Sequence, residues 1–215
     1  AELLKTNYVE AWRGEFYPVT SDWHIPAVMQ IERAACPYFG IRAYGVHLNG
    51  FVRRHDGIYM WIAKRDSNKQ TYPGLLDNMV AGGQPIGLGL KENLMKECNE
   101  EAGLPFGLAA KSVPTSFISY THTMPVMPTG GVKPDQLFCF DIELPNDFQP
   151  QPVDGEVEAF YLWPIEQVAK TVRETDDFKF NCNLVIIDFL IRHGIITPDN
   201  ETSFAAIAQG LRNDI

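Results

Sequence analysis

Between residues 77 and 104 the chain changes period within a few residues, and few folds accommodate that change. "DNMVAGG" (77–83) is a short strand ending in glycines, and the helix after it repeats Leu90, Leu94, Cys98 and Ala102 every four residues. Such a stripe faces a core. The same helix carries Glu97, Glu100 and Glu101 at i, i+3, i+4 spacing, so their side chains converge with Cβ atoms roughly 5–6 Å apart. Gathered carboxylates either lie on a solvated face, here with Lys91 and Lys96 as pairing partners, or hold a cation. The glycines favour the cation. Gly82-Gly83 and Gly87/Gly89 let backbone approach a ligand closely and set amides beside a helix N-terminus, where anions bind. Mg²⁺ suits the arrangement because it takes oxygen ligands, keeps waters and shares phosphate oxygens with a substrate. Mn²⁺ is the alternative ion.

The flanking sequence supplies the sheet. "AYGVHLNGFVRR" (43–54) and "IYMWIAKR" (58–65) alternate apolar and polar residues, with His55-Asp56-Gly57 as a tight hairpin turn between them. "SFISYT" (116–121), "QLFCFDIEL" (136–144) and "EVEAFYLW" (156–163) are further strands. A short helix is expected around Pro26 to Ala35, and Pro164 opens another at its favoured first position. The stretch 176–194 is a helix with acids at its start and His193-Gly194 at its end. Its Leu184, Ile187, Phe189, Leu190 and Ile191 cover most of its circumference, so it is buried against the sheet. The expected fold class is α/β, a curved mixed sheet with helices on both sides. One domain over 40–198 is expected, with a flanking segment over 1–39 and a helical tail over 199–215.

Composition narrows the partners. A formal net charge of -9 disfavours nucleic acid and anionic membrane, and obliges local Lys and Arg to attract any anionic substrate. No apolar run is long enough to span a bilayer. Cys36, Cys98, Cys139 and Cys182 lie far apart, without a CxxC pair. Reduced thiols and a cytoplasmic location are the expectation. Arg42, Arg54, Lys64, Arg65 and Lys133 are available to meet phosphates. Trp61, Tyr120 and Trp163 could stack on a heteroaromatic ring. "THTMPVMPTGGVKPDQ" (121–136) reads as a long loop serving as a substrate lid. The five histidines show no ligand spacing, and neither a G-x-S-x-G elbow nor a G-x4-G-K-[ST] loop occurs.

"GGQPIGLGLKENLMKECNEEAGL" resembles the Nudix hydrolase signature, usually written G-x5-E-x7-R-E-U-x-E-E-x-G-U with U aliphatic. Lys96 stands at the Arg position, followed by Glu97, Cys98 at U, Glu100, Glu101, Gly103 and Leu104; Leu88 stands where the first Glu belongs. In the family that Glu and the Arg brace the loop, so here packing of Ile86 and Leu88 is expected to hold it. "YFGIRAYGVHLNGFVRR", "YPGLLDNMVAGG", "DGEVEAFYLWP" and "DDFKFNCNLVIIDFLIRHG" extend the likeness to a subfamily related to the N-terminal part of fungal thiamine pyrophosphokinase. Members usually carry a further N-terminal segment, and a chain starting at Ala1 is expected to begin mid-protein.

The resemblance implies a Nudix-type α/β/α sandwich that cleaves a small-molecule diphosphate, notably oxidised thiamine diphosphate. It implies metal held by Glu97, Glu100 and Glu101. The proton of the attacking water goes to Glu97 or to a later acid, Glu156 ahead of Glu158. Gly82, Gly83, Arg65, Lys133 and Tyr120 are the expected substrate contacts. Two alternatives stand beside it: a nucleoside diphosphate-linked substrate such as ADP-ribose, and a Nudix-fold module that binds without cleaving.

Overall fold

The computed structural model describes residue 9, residues 12–123 and residues 131–215. A hairpin of β1 (Phe16–Val19) and β2 (Met29–Glu32) forms a separate two-stranded sheet. A 3₁₀ turn (Arg33–Ala35) and the short helix α1 (Cys36–Phe39) follow. The helix expected over Pro26 to Ala35 is therefore absent: its middle is the strand Met29–Glu32, and only its last three residues turn, as a 3₁₀ element. The strand's Val19↔Met29 to Phe16↔Glu32 register pairs it with the aromatic stretch before it.

The main sheet has seven strands. β3 (Ala43–Arg54) and β4 (Gly57–Arg65) form the expected hairpin, paired only from Phe51 to Gly57 and Met60. Beyond that the two strands part, and the segment 76–83 fills the fork. β5 (Leu76–Asn78) pairs with β4, then the chain crosses at Met79 and β6 (Val80–Gly83) pairs with β3. The single strand expected over 77–83 is thus two, and the crossing carries Gly82-Gly83 to the β3 side. Met79 is fully buried, and a Cβ on Gly50 would collide with its sulfur, which fixes glycine at that point of β3.

β8 (Val132–Glu143) runs parallel to β3 on the other side, and β7 (Val113–Thr123) pairs antiparallel with β8. β9 (Val157–Pro164) covers the outer edge of β4. Residues expected in the loop 121–136 are strand at both ends, because β7 and β8 continue their ladder from Tyr120↔Asp135 to Thr123↔Val132. The remainder, 124–130, lies outside the described residues, and the lid with it.

Helices cover both faces. α2 (Leu90–Ala102) lays Leu94, Cys98 and Ala102, all fully buried, against Val46, Leu48 and Val80. It ends at Gly103, whose φ of 60° is a left-handed cap that a glycine adopts at no cost. The short α3 is Phe106–Ala109. On the opposite face α4 (Ile165–Glu174) and α5 (Phe180–Arg192) bury Ile165, Cys182, Ile186 and Phe189 against Phe51, Met60 and Ile62. Pro164 caps α4 rather than opening it. Residues 176–179 are extended, exchanging backbone hydrogen bonds with Leu76 at 2.9 Å, so α5 begins four residues later than its acids suggested. α6 (Phe204–Gly210) lies in the C-terminal segment, after which Ser119 and Arg212 form a parallel bridge.

The glycine turn is held by amides. Gln84, fully buried, donates from Nε2 to the Leu88 carbonyl at 2.8 Å, and Asn93 Nδ2 donates to Gly83 O at 2.8 Å. Ile86 is 38% exposed and Leu88 half-buried. The packing expected of Ile86 and Leu88 is not what braces the loop; the two side-chain amides stand in for the absent ion pair. Gln84→Glu would turn a donor into an acceptor facing buried carbonyls, and should cost about 1–3 kcal/mol in urea unfolding. Leu88→Ala should cost less than Gln84→Glu, and the reverse order would restore the packing explanation.

Candidate active site

The glycine turn, α2 and the starts of β3 and β8 enclose a cavity of about 280 Å³. Glu97, Glu100 and Glu101 all line it, as do Gly82, Gly83, Glu156, Arg65, Lys133 and Tyr120. Glu158 does not. It projects from the exposed side of β9, paired to Lys64 at 2.8 Å; Glu156 precedes the strand, and the register shift opposite Lys64 and Arg65 breaks the alternation that would otherwise set the two acids on one face.

The two glycines are small for specific reasons. A Cβ on Gly82 would overlap the Glu97 side chain, and one on Gly83 would overlap the Tyr17 hydroxyl. Backbone and carboxylate therefore meet directly at the turn. Glu101 is 7% exposed and accepts a hydrogen bond from Ala81 N at 3.0 Å. Burial, opposed by that bond and reinforced by Glu97, pushes its carboxyl well above the ordinary glutamate value. Burial also raises Glu97, although Lys96 works against it. Lys96 reaches Glu97 at 3.2 Å and Glu100 at 2.7 Å. Lys91 bonds Ser112 instead and takes no part. A buried and a half-buried carboxylate, restrained by a single exposed lysine, fit a hard divalent cation by the chemistry of the donor set.

The remaining wall is basic. Seven Lys/Arg and seven Asp/Glu side chains line the cavity, against 18 and 27 in the whole chain. The negative field of the molecule is thus neutralised where an anion would bind. Arg13 and Arg33 come from the N-terminal hairpin region, which the sequence reading treated as a flank. Arg33 pairs with Glu15 and sits over the Tyr17 ring, its guanidinium 5.5 Å from the centroid. Arg13 stands in "RGEFY", which leads into β1, and Arg33 just past β2; neither carries a local signal that connects it with residues sixty positions on.

Other expectations separate cleanly. Arg65 reaches the cavity, but its donors are committed to Asp77 at 2.7 Å and to the Thr71 and Tyr72 carbonyls. It holds Tyr72 in a left-handed turn with φ 52°. Glu156 pairs with Lys69; although burial raises it, that lysine keeps its carboxyl below the usual value and weakens it as a base. Lys133 bonds Asp135 at 3.0 Å. Arg42 bonds Ser21 O at 3.0 Å, and Arg54 covers the Tyr59 ring; neither lines the cavity. Trp61 and Trp163 pack in the two cores, leaving Tyr120, set edge-on to Phe180 at 5.3 Å, as the aromatic wall. All four cysteines are free and buried.

Sequence reasoning passed over His47, which is 3% exposed and lines the cavity. No local signal marked it: β3 is buried from Ala43 to Val52 at polar and apolar positions alike, which its alternation does not reveal. With Asp77 and Cys182 it brings three ligand atoms within 4.8 Å. Asp77 already accepts from the Cys182 thiol and from Arg65, so two members of the trio are committed to one another and to that arginine.

Comparison with known proteins follows this geometry. A family profile described as a domain of unknown function, DUF4743, matches residues 2–43. Two Arabidopsis thaliana proteins, Nudix hydrolase 20, chloroplastic, and Nudix hydrolase 24, chloroplastic, are each 48% identical over 201 residues, 94% of this chain. The Deinococcus radiodurans protein DR0079 superposes with a TM-score of 0.55 at 20% identity, over 80% of this chain and 95% of its own. The strand, glycine turn and three-glutamate helix are a Nudix domain, and the chain belongs to the Nudix family. It spans about half the length of the curated relatives it matches, 52% and 54%. Both relatives are named chloroplastic, which overturns the cytoplasmic expectation.

Proposed function

We propose that the chain is a divalent-metal-dependent hydrolase of small-molecule diphosphates, with oxidised thiamine diphosphate as its substrate. The observation that carries this is the pairing of three cavity-facing glutamates on one helix with a basic lining drawn from the rest of the fold. Glu97, Glu100 and Glu101 would hold Mg²⁺ or Mn²⁺. The ion supplies charge neutralisation of the diphosphate and acidification of a water. The basic side chains orient the phosphates, and the backbone at Gly82-Gly83 approaches them without a side chain in the way. Glu97, raised by its burial and touching the turn, is the acid best placed to take the proton of the attacking water. Water replaces one bridging P–O bond, giving a monophosphate and inorganic phosphate.

The organic half of the substrate would lie against Tyr120, beyond the basic wall. The test is phosphate release with Mg²⁺ across oxothiamine, oxythiamine and thiamine diphosphates and ADP-ribose. The oxidised thiamine forms should give the highest kcat/KM. A value tenfold or more higher for ADP-ribose would sink the thiamine assignment while leaving a diphosphate hydrolase. No release from any of them would favour a binding module.

A further inference from the structure

A chain of hydrogen bonds runs from the cavity through the sheet to the far side of α5. His47 Nδ1 lies 2.8 Å from Asn78 Oδ1; Asn78 Nδ2 donates to Asn49 Oδ1 at 3.2 Å; Asn49 Nδ2 donates to Asp141 Oδ1 at 3.1 Å. Asp141 is fixed by two bonds from Arg192, at 2.5 and 3.1 Å. Asn49 and Asp141 are register partners across the β3–β8 ladder, so the backbone sets their meeting. Every one of these side chains but Arg192 is under 9% exposed, so water cannot substitute for a partner.

The direction of the chain is forced from its far end. A carboxylate paired to arginine only accepts, so Asn49 must present its NH₂ to Asp141 and its oxygen to Asn78. Asn78 must then present its NH₂ to Asn49 and its oxygen to His47. Only an Nδ1–H can meet that oxygen. The imidazole is left with a bare Nε2, for which no partner occurs among the described residues, on a residue that lines the cavity.

We infer that His47 Nε2 is a fixed hydrogen-bond acceptor in the substrate cavity, selecting ligands whose organic part carries a neutral N–H or O–H donor. This rests on the diphosphate-hydrolase reading for the identity of the cavity, and adds a requirement on the group beyond the phosphates. Burial, with Lys179 nearby, pushes the imidazole down to about 4, so the ring stays neutral at physiological pH. A neutral acceptor is suited to an amino or imino group and repels a carbonyl placed in the same spot.

The test is NMR of the whole chain labelled with ¹⁵N-histidine, the His47 signals being identified by their loss in His47→Gln. The free protein at pH 7 should show a protonated Nδ1 and a bare Nε2. Thiamine monophosphate, added until the protein signals stop changing, should shift Nε2 toward the protonated-nitrogen position and leave Nδ1 in place. In turnover, His47→Leu should raise KM for the best diphosphate by about ten- to a hundredfold with kcat less affected, and His47→Gln, which retains an acceptor, should recover part of it. An Nε2–H tautomer, a charged ring, or an Nε2 signal unmoved by both thiamine monophosphate and ADP-ribose would overturn the inference. A chain that cleaves no diphosphate yet shows the tautomer and the shift would remove the hydrolase reading and leave this one.

Discussion

Glu101→Gln should lower turnover by about 10²-fold or more while leaving the protein as stable as before, or more so. The amide keeps an oxygen for the Ala81 N–H bond and fills the same space. It removes a charge that burial and Glu97 both disfavour. Because the folded-state value is raised, the carboxyl's stabilising contribution is present below the ordinary glutamate range and lost as pH rises through the raised value. The glutamine does not suffer that loss. Mg²⁺ should then raise the melting temperature of the native chain and leave the variant's unmoved. Opposite signs for activity and metal-free stability would identify a carboxylate kept for chemistry. Near-native turnover of Glu101→Gln at saturating Mg²⁺ would refute the metal assignment.

Asp188→Ala should cost roughly 3–5 kcal/mol in chemical denaturation. Asp188 is 2% exposed and accepts from Arg192 Nε at 2.6 Å, Ser116 Oγ at 2.5 Å and Arg212 Nη2 at 2.5 Å. Its removal strands a partly buried guanidinium and cuts the links from α5 to Arg212 and to Ser116 of β7, leaving the C-terminal segment held to β7 by its backbone bonds to Ser119. Asp188→Asn keeps the volume and an acceptor, and should cost less. A loss below about 1 kcal/mol for the alanine variant would show that Arg192 is held by Asp141 alone.

Local periodicity located most of the elements. The four-residue stripe marked α2 to its first and last residue, and alternation marked β3 and β4, because both patterns report which side of one element meets the core. It failed where contacts join distant segments. Nothing within residues 77–83 reveals that the fork between β3 and β4 has room for two short strands, or that Met79 is the crossing. Gln84 replaced the expected brace because a buried amide can reach a carbonyl four residues on, a geometry invisible in a hydropathy pattern. The helix acids and glycines were legible as a group because they lie within one local unit. Arg13, Glu15, Tyr17 and Arg33 were not, since only tertiary packing brings them to the cavity. Glu158 marks the limit of strand alternation: a spacing of two from Glu156 predicts one shared face, yet the register shift at the start of β9 sends the pair to different surfaces.

The cavity's two halves come from separate stretches of chain. The acidic half belongs to one helix, locked by glycines that cannot change without displacing Glu97 or Tyr17. Two of the seven basic side chains, Arg13 and Arg33, flank a separate hairpin, outside the seven-stranded sheet. Substitutions in residues 13–33 can therefore retune which molecules are admitted without disturbing the chemistry that follows. Divergence among relatives in what they accept should concentrate in that hairpin. A fragment trimmed to start at β3 would retain the helix acids and lose much of its ability to discriminate.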